Sequence, residues 1–155
     1  MAVTIAEICT DTTTALTGIT TANGLTILAD NYNEIKEGMP DYPLLEVYPE
    51  NLEVDSRTET DATTLSKGVR VHSLTVHVDV YVHTRNQIDE NMEDVVDCWD
   101  AIEDRLESGA AGGAGCPIFG NEFIRNIHWT AERVIFDRQS LLYSGIRFVL
   151  VMEVF

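Results

Sequence analysis

From Leu74 to Val82 the chain alternates without exception: Leu74, Val76, Val78, Val80 and Val82 are apolar, Thr75, His77, Asp79 and Tyr81 stand between them, and His83 follows on the polar side. A two-residue period held this long is the pattern of a strand with one face on a core and the other turned to solvent. Such a strand needs neighbours to cover its apolar face, and two other segments fit. Ile88, Met92, Val95, Val96, Trp99, Ile102 and Leu106 make one helical stripe, and Ile146, Phe148, Leu150, Met152 and Val154 repeat the strand period at the end of the sequence. Together they predict an α+β fold: a mostly antiparallel β-sheet packed against two or more α-helices, with a long polar loop or hairpin.

The remaining segments fill in this outline. Ile5, Ile8, Cys9, Ala15, Leu16 and Ile19 recur at helical spacing and predict a first helix, weakened in its middle by the β-branched Thr12, Thr13 and Thr14. Asn23-Gly24 ends it, and Leu25, Leu28, Tyr32 and Ile35 fit either a second short helix or an ordered loop. Pro40, Pro43 and Pro49 bracket Leu44 to Tyr48, and prolines confine such a run to a sheet edge or an extended arm; an edge strand is expected. Glu50 to Lys67, with four threonines and the acids Glu53, Asp55, Glu59 and Asp61, predicts a long polar loop or hairpin tip. Val69 and Val71 are apolar at odd positions, so the strand phase slips near Ser73, where a β-bulge is expected. Asn86, with Asp89 three residues on, predicts the start of the long helix. Ser108 to Gly115 is too glycine-rich for helix or strand. Phe123, Ile127 and Trp129 lie on one face of a candidate strand that Val134 to Phe136 extend or pair with, and Arg147 and Glu153 oppose the apolar face of the last strand. No repeat or boundary interrupts residues 1–155, which predict a single domain; a domain of this length buries roughly 68–70% of its unfolded surface.

Composition narrows the function classes. With 26 acidic and 10 basic residues the formal net charge is −16, which argues against a broad phosphate-binding surface. Eight of the ten bases are arginine, the side chain suited to planar interface contacts, although codon bias explains the excess equally well. No run approaches the roughly 20 apolar residues that span a bilayer, and the first residues lack a basic start and a continuous apolar core, so a soluble, cytoplasmically folded chain is expected. Cys9, Cys98 and Cys116 are odd in number and widely spaced, which fits free, partly buried thiols rather than a disulfide framework or zinc knuckle.

A search for chemistry finds little. His77, Asp79 and His83 share one face by alternation, but ligands spread over six residues of one strand lie too far apart to chelate one ion, so a solvated sheet face is expected. His72 and His128 have no partner nearby in sequence. The helix acids read as solvated, no serine stands in a Gly-x-Ser-x-Gly setting, and no Gly-Lys-Ser or Gly-Lys-Thr follows the glycines. The expectation is a non-enzyme with no catalytic residue, metal or cofactor.

The order of elements carries a resemblance. An N-terminal helix, the Pro43-Leu-Leu-Glu-Val-Tyr-Pro49 arm and a polar loop precede the alternating strand from Leu74 to Val82. The amphipathic helix to Leu106, a Gly-rich connection and the closing strand from Tyr143 to Phe155 follow. This layout resembles the tail terminator, or tail completion, proteins of long-tailed bacteriophages. The resemblance implies a structural virion protein of the tail or neck, assembled in the bacterial host cytoplasm. Six copies would close into a ring on the head-proximal end of the tail tube. Its partners would be itself, the tail tube protein and a head completion or connector protein, with DNA passing through unbound. Arg57, Arg70, Arg125, Arg133 and Arg147 are the arginines expected to meet acids of a neighbouring subunit, and Glu59, Asp61 and Lys67 are expected on a loop touching neighbouring proteins. The nearest alternative is another head–tail connector of the neck. Alternatives from other classes are a small-ligand or enzymatic domain using His77, Asp79 and Tyr81, and an acidic decoy presenting the helix from Asp89 to Glu107 to a basic protein.

Overall fold

The alternating segment is the spine of the molecule. A computed structural model describes residues 3–29, 43–56, 70–84, 92–110, 124–138 and 140–154. Along them run α1 (Ile5–Leu16), β1 (Ile19–Thr20), β2 (Thr26–Ala29), β3 (Leu44–Ser56), β4 (Arg70–Thr84), α2 (Met92–Ala110), β5 (Ile124–Arg138) and β6 (Leu141–Val154). The strands form one sheet in the order β1-β2-β3-β4-β6-β5. Every neighbouring pair is antiparallel except β2 with β3. The expected α+β architecture, a mostly antiparallel sheet with helices against it, is what the chain forms.

Both helices cover one face. Ile8, Cys9 and Leu16 of α1 and Val95, Cys98, Ile102 and Leu106 of α2 are buried in one cluster with Leu74, Val76, Val78, Val80 and Val82 of β4 and Ile146, Phe148, Leu150, Met152 and Val154 of β6. The two alternating segments therefore pack as their periods predict. The α2 stripe is rotated from the sequence reading. Cys98 joins the buried side, while Met92 and Val96 are 42% and 47% exposed. The helix also runs on through Ser108 and Gly109 to Ala110, past the point where glycine content predicted its end. Asn86, Asp89 and residues 111–115 lie outside the described residues.

Thr4 caps α1, its side chain accepting from the Glu7 amide while the Glu7 carboxylate accepts from the Thr4 amide. The hydroxyls of Thr10, Thr12 and Thr13 donate to the carbonyls four residues back, which accommodates the threonines inside the helix. Ile19, expected in this helix, instead opens β1. Leu28, expected in a helix or loop, lies in β2, because the turn at Gly24 (φ +81°) folds the chain back into a hairpin. Tyr32 and Ile35 lie outside the described residues.

β3 is longer than its prolines predicted. It crosses Pro49 by a bulge that leaves Glu50 without a β4 partner and continues to Ser56, so the first part of the expected polar loop is strand. β2 flanks it only at Leu44 and Leu45; beyond these, among the described residues, its outer side has no strand partner, so the edge expectation holds from Glu46 onward. Residues 57–69 lie outside the described residues. The bulge expected near Ser73 is absent: β3 and β4 keep register from Asn51↔Thr75 to Ser56↔Arg70. Helix cover thins at this end, where Leu52 and Val54 are exposed, so apolar residues there do not report a single face. The bulge in β4 comes at its other end, where Val82 is the extra residue between Tyr81↔Gly145 and His83↔Ser144.

β5 is one strand through Val134 to Phe136, with Arg138 opposite Leu141 and Ser140 at φ +67° in the connecting turn. Phe123 lies outside the described residues.

Candidate functional site

The most organised polar chemistry lies on the sheet face away from the helices. Asp79 of β4 stands directly opposite Arg147 of β6 and diagonally from Tyr48 of β3, which pairs with His77. The arginine donates twice, Nε to Oδ1 at 2.8 Å and Nη2 to Oδ2 at 3.0 Å, and Tyr48 Oη donates to Oδ2 at 2.7 Å. Arg147 Nη2 also reaches Tyr48 Oη at 3.2 Å. A fork of this kind is the strong form of a charged hydrogen bond. Asp79 is 2% exposed, so this face is not the solvated one that alternation suggested. His77 adds an edge contact to the Tyr48 ring, with centroids 5.4 Å apart.

A second unit lies beside it. Arg138 pairs with Glu46, Tyr81 Oη donates to Glu46 Oε2 at 3.3 Å, and the Arg138 guanidinium lies 5.6 Å from the Tyr81 ring centre. Phe136 and Tyr143 close around Tyr81, and the Arg147 guanidinium sits 5.6 Å from the Phe136 ring centre. The Phe136 ring is placed there by Gly145, whose missing side chain leaves the space it fills.

The first unit joins β3, β4 and β6, the second joins β3, β4, β5 and β6, and each charge in them is matched. The arrangement works chemically as a clamp that fixes the relative positions of β3, β4 and β6 and of the β5–β6 hairpin. His83, expected on the same face as His77 and Asp79, has crossed to the helix side because of the Val82 bulge, where its Nε2 lies 2.7 Å from Asp94 Oδ2 of α2. Among the described residues no group of three or more His, Cys, Asp or Glu side chains is arranged to hold a metal ion.

The candidate interface arginines separate. Arg147 has its partners within the chain, in the clamp. Arg133 is exposed on β5, its Nη1 4.0 Å from Met92 Sδ. Arg70 opens β4 opposite Ser56, and Arg125 is the extra residue of a bulge between Ile124 and Asn126. Arg57, Glu59, Asp61 and Lys67 lie outside the described residues. Sequence reasoning did not single out Glu46, Tyr48 or Arg138. The alternation Leu45, Val47 against Glu46, Tyr48 within the proline-bounded run carried a signal for the first two.

Burial pushes the Cys9 thiol up to about 11 and the Cys98 thiol up to about 12, the latter with help from Asp94 and Asp97. Burial and the hydrogen bond to Asp79 push the Tyr48 hydroxyl up to about 12. The unfolded groups titrate nearer 9 and 10. Above about pH 9 the unfolded chain therefore binds fewer protons than the folded one, and stability falls as pH rises further. The urea midpoint is expected to be flat up to about pH 8 and clearly lower at about pH 10.5. An unchanged midpoint across that interval would refute the burial of these groups.

No protein-family model matches the chain, and a search of curated proteins finds no match. No helix among the described residues is long and apolar enough to cross a membrane.

Proposed function

We propose that this chain is a ring-forming structural protein of a phage tail, a terminator that caps the head-proximal end of the tail tube and presents a docking face to the neck. The observation that carries the reading is a sheet with, among the described residues, no strand partner on the outer side of β5 or along most of β3. β5 is a 15-residue edge strand, and β3 lacks an outer strand partner from Glu46 onward among the described residues. Long bare edges invite pairing with another chain, and folds that stay monomeric usually blunt them. Leu28, Leu52, Val54, Met92, Val96, Ile135, Leu141 and Leu142 add exposed apolar surface. The order of elements, with helices on one face of an antiparallel sheet, agrees with the resemblance in the sequence. The clamp supports the reading as well, since a ring subunit needs a stiff sheet.

Charge sets the conditions of assembly. Six copies at −16 each must close against mutual repulsion. This is confined to near contacts when the Debye length is about 8 Å at physiological salt, and extends to about 30 Å at 0.01 M. Native mass spectrometry is expected to show a closed hexamer at physiological salt that dissociates as ionic strength is lowered. Added to purified tail tubes, the protein is expected at one end only. A chain that remains monomeric or dimeric at all salt concentrations and leaves tube ends bare sinks the proposal. A hexamer that ignores the tubes and binds the portal side moves the protein to another position in the neck.

A further inference from the structure

We propose that the sheet itself is the subunit interface, the β5 edge of one copy pairing antiparallel with the outer edge of β3 in a second copy. The inference deepens the ring reading by naming its contact surfaces, and four observations carry it.

The two open edges lie on opposite sides of the same sheet, so they form a head-to-tail contact, the kind that closes into rings when the rotation permits. Strand direction also suits. β3 is antiparallel to β4, β4 to β6 and β6 to β5, so β5 and β3 of a single chain run in opposite directions. Rotation about a ring axis preserves each strand's direction along that axis, so neighbouring copies meet with β5 and β3 antiparallel. The charges are unequal: β3 carries Glu46, Glu50, Glu53 and Asp55 with no base, whereas β5 carries Arg125, Arg133 and Arg138 against Glu132 and Asp137. One such pair, Arg138 with Glu46, already joins these strands within the chain across the polar face. The apolar sides also align. Leu52, opposite Leu74, and Val54 lie on the helix side of β3, and Ile127, Trp129 and Ile135 lie on the helix side of β5. Edge pairing would continue one apolar face from copy to copy and cover Leu52, Val54 and Ile135, now 37%, 52% and 41% exposed. Pro49 and the unpaired Glu50 interrupt the β3 edge, so the segment that receives the partner is Asn51 to Ser56.

Two triple variants test this, each at exposed positions. The first, Leu52→Lys/Glu53→Lys/Val54→Lys, makes the β3 edge basic; the second, His128→Glu/Arg133→Glu/Ile135→Glu, makes the β5 edge acidic. Like charges facing each other across a strand pair are destabilising. Each variant alone is expected to lose the wild-type oligomer in native mass spectrometry while keeping the wild-type circular dichroism spectrum and melting profile. An equimolar mixture of the two, and a single chain carrying all six changes, is expected to regain it, because basic β3 then meets acidic β5. A wild-type hexamer that either folded variant still forms alone overturns edge pairing and leaves the ring reading standing, as does a mixture of folded variants that stays monomeric. A wild-type chain that never assembles, alone or on tail tubes, overturns both.

Discussion

Gly145→Ala is expected to cost about 3 kcal/mol or more, beyond the usual range for inserting one methyl group into a packed interior. A Cβ at this position would lie 2.0 Å from the Val80 carbonyl oxygen and 2.7 Å from Cε2 of Phe136. The ring can swing away, but the carbonyl belongs to the central strand, where β4 is held on both sides by β3 and β6. For a chain of this length such a loss corresponds to a fall of roughly 6–12 °C in Tm. Phe136→Leu in the same background separates the two contacts: it frees the ring's space yet leaves the carbonyl in place, so it should restore little. A loss below about 1 kcal/mol for Gly145→Ala, or full restoration by Phe136→Leu, would show that the backbone contact does not limit the site. Gly18 and Gly24 provide the contrast, since no atom lies within 4 Å of a Cβ there and only their positive φ resists a side chain.

Arg147→Ala is expected to cost roughly 3 kcal/mol, the lower end for breaking a buried ion pair, because the arginine side chain keeps 29% of its surface in water. Asp79→Ala should cost less, by about 1 kcal/mol or more. The difference comes from what each change leaves behind. Without Arg147 the Asp79 carboxylate, 3% exposed, retains only the Tyr48 hydroxyl; without Asp79 the guanidinium turns towards solvent. The double variant is accordingly expected to be no less stable than Arg147→Ala alone. Urea denaturation of the three variants decides it, and a larger loss for Asp79→Ala than for Arg147→Ala would contradict the account.

The parts of this fold that sequence made legible are those where one physical constraint dominates. Leu74 to Val82 and Ile146 to Val154 alternate because helices cover one side of both strands along their length, and every apolar residue named in them is buried. The clamp was not legible, since Asp79 meets Tyr48 31 residues away and Arg147 68 residues away. A single strand's period shows which side a carboxylate faces and is silent on what neighbouring strands bring there. β2 was missed for a different reason: four residues are too few to display a period. The α2 stripe read from the sequence runs through Met92 and Val96 and leaves out Cys98, although a free cysteine packs as a small apolar side chain. Among the candidate interface residues, Arg147 was expected to meet an acid of a neighbouring subunit, and strand alternation could not show that Asp79 of its own chain stands opposite it.

The surplus residue at Val82 divides β4 into two stretches with different tolerance of change in length. Up to Tyr81 the odd members face the polar clamp; past Val82 the odd member His83 reaches α2. Removing any one residue between Asp79 and the start of the strand would slide its upstream half by one place and put threonine and histidine where valines now meet the helices. Removing one between Asp79 and Val82 would break the match between strand and helix at the other end. Loss of Val82 alone would keep the pairing on both sides of the bulge, with His83 next to Tyr81 and by alternation still on the helix side, and would remove one buried valine. Natural variants with a shortened strand should therefore have lost the residue at this point and no other.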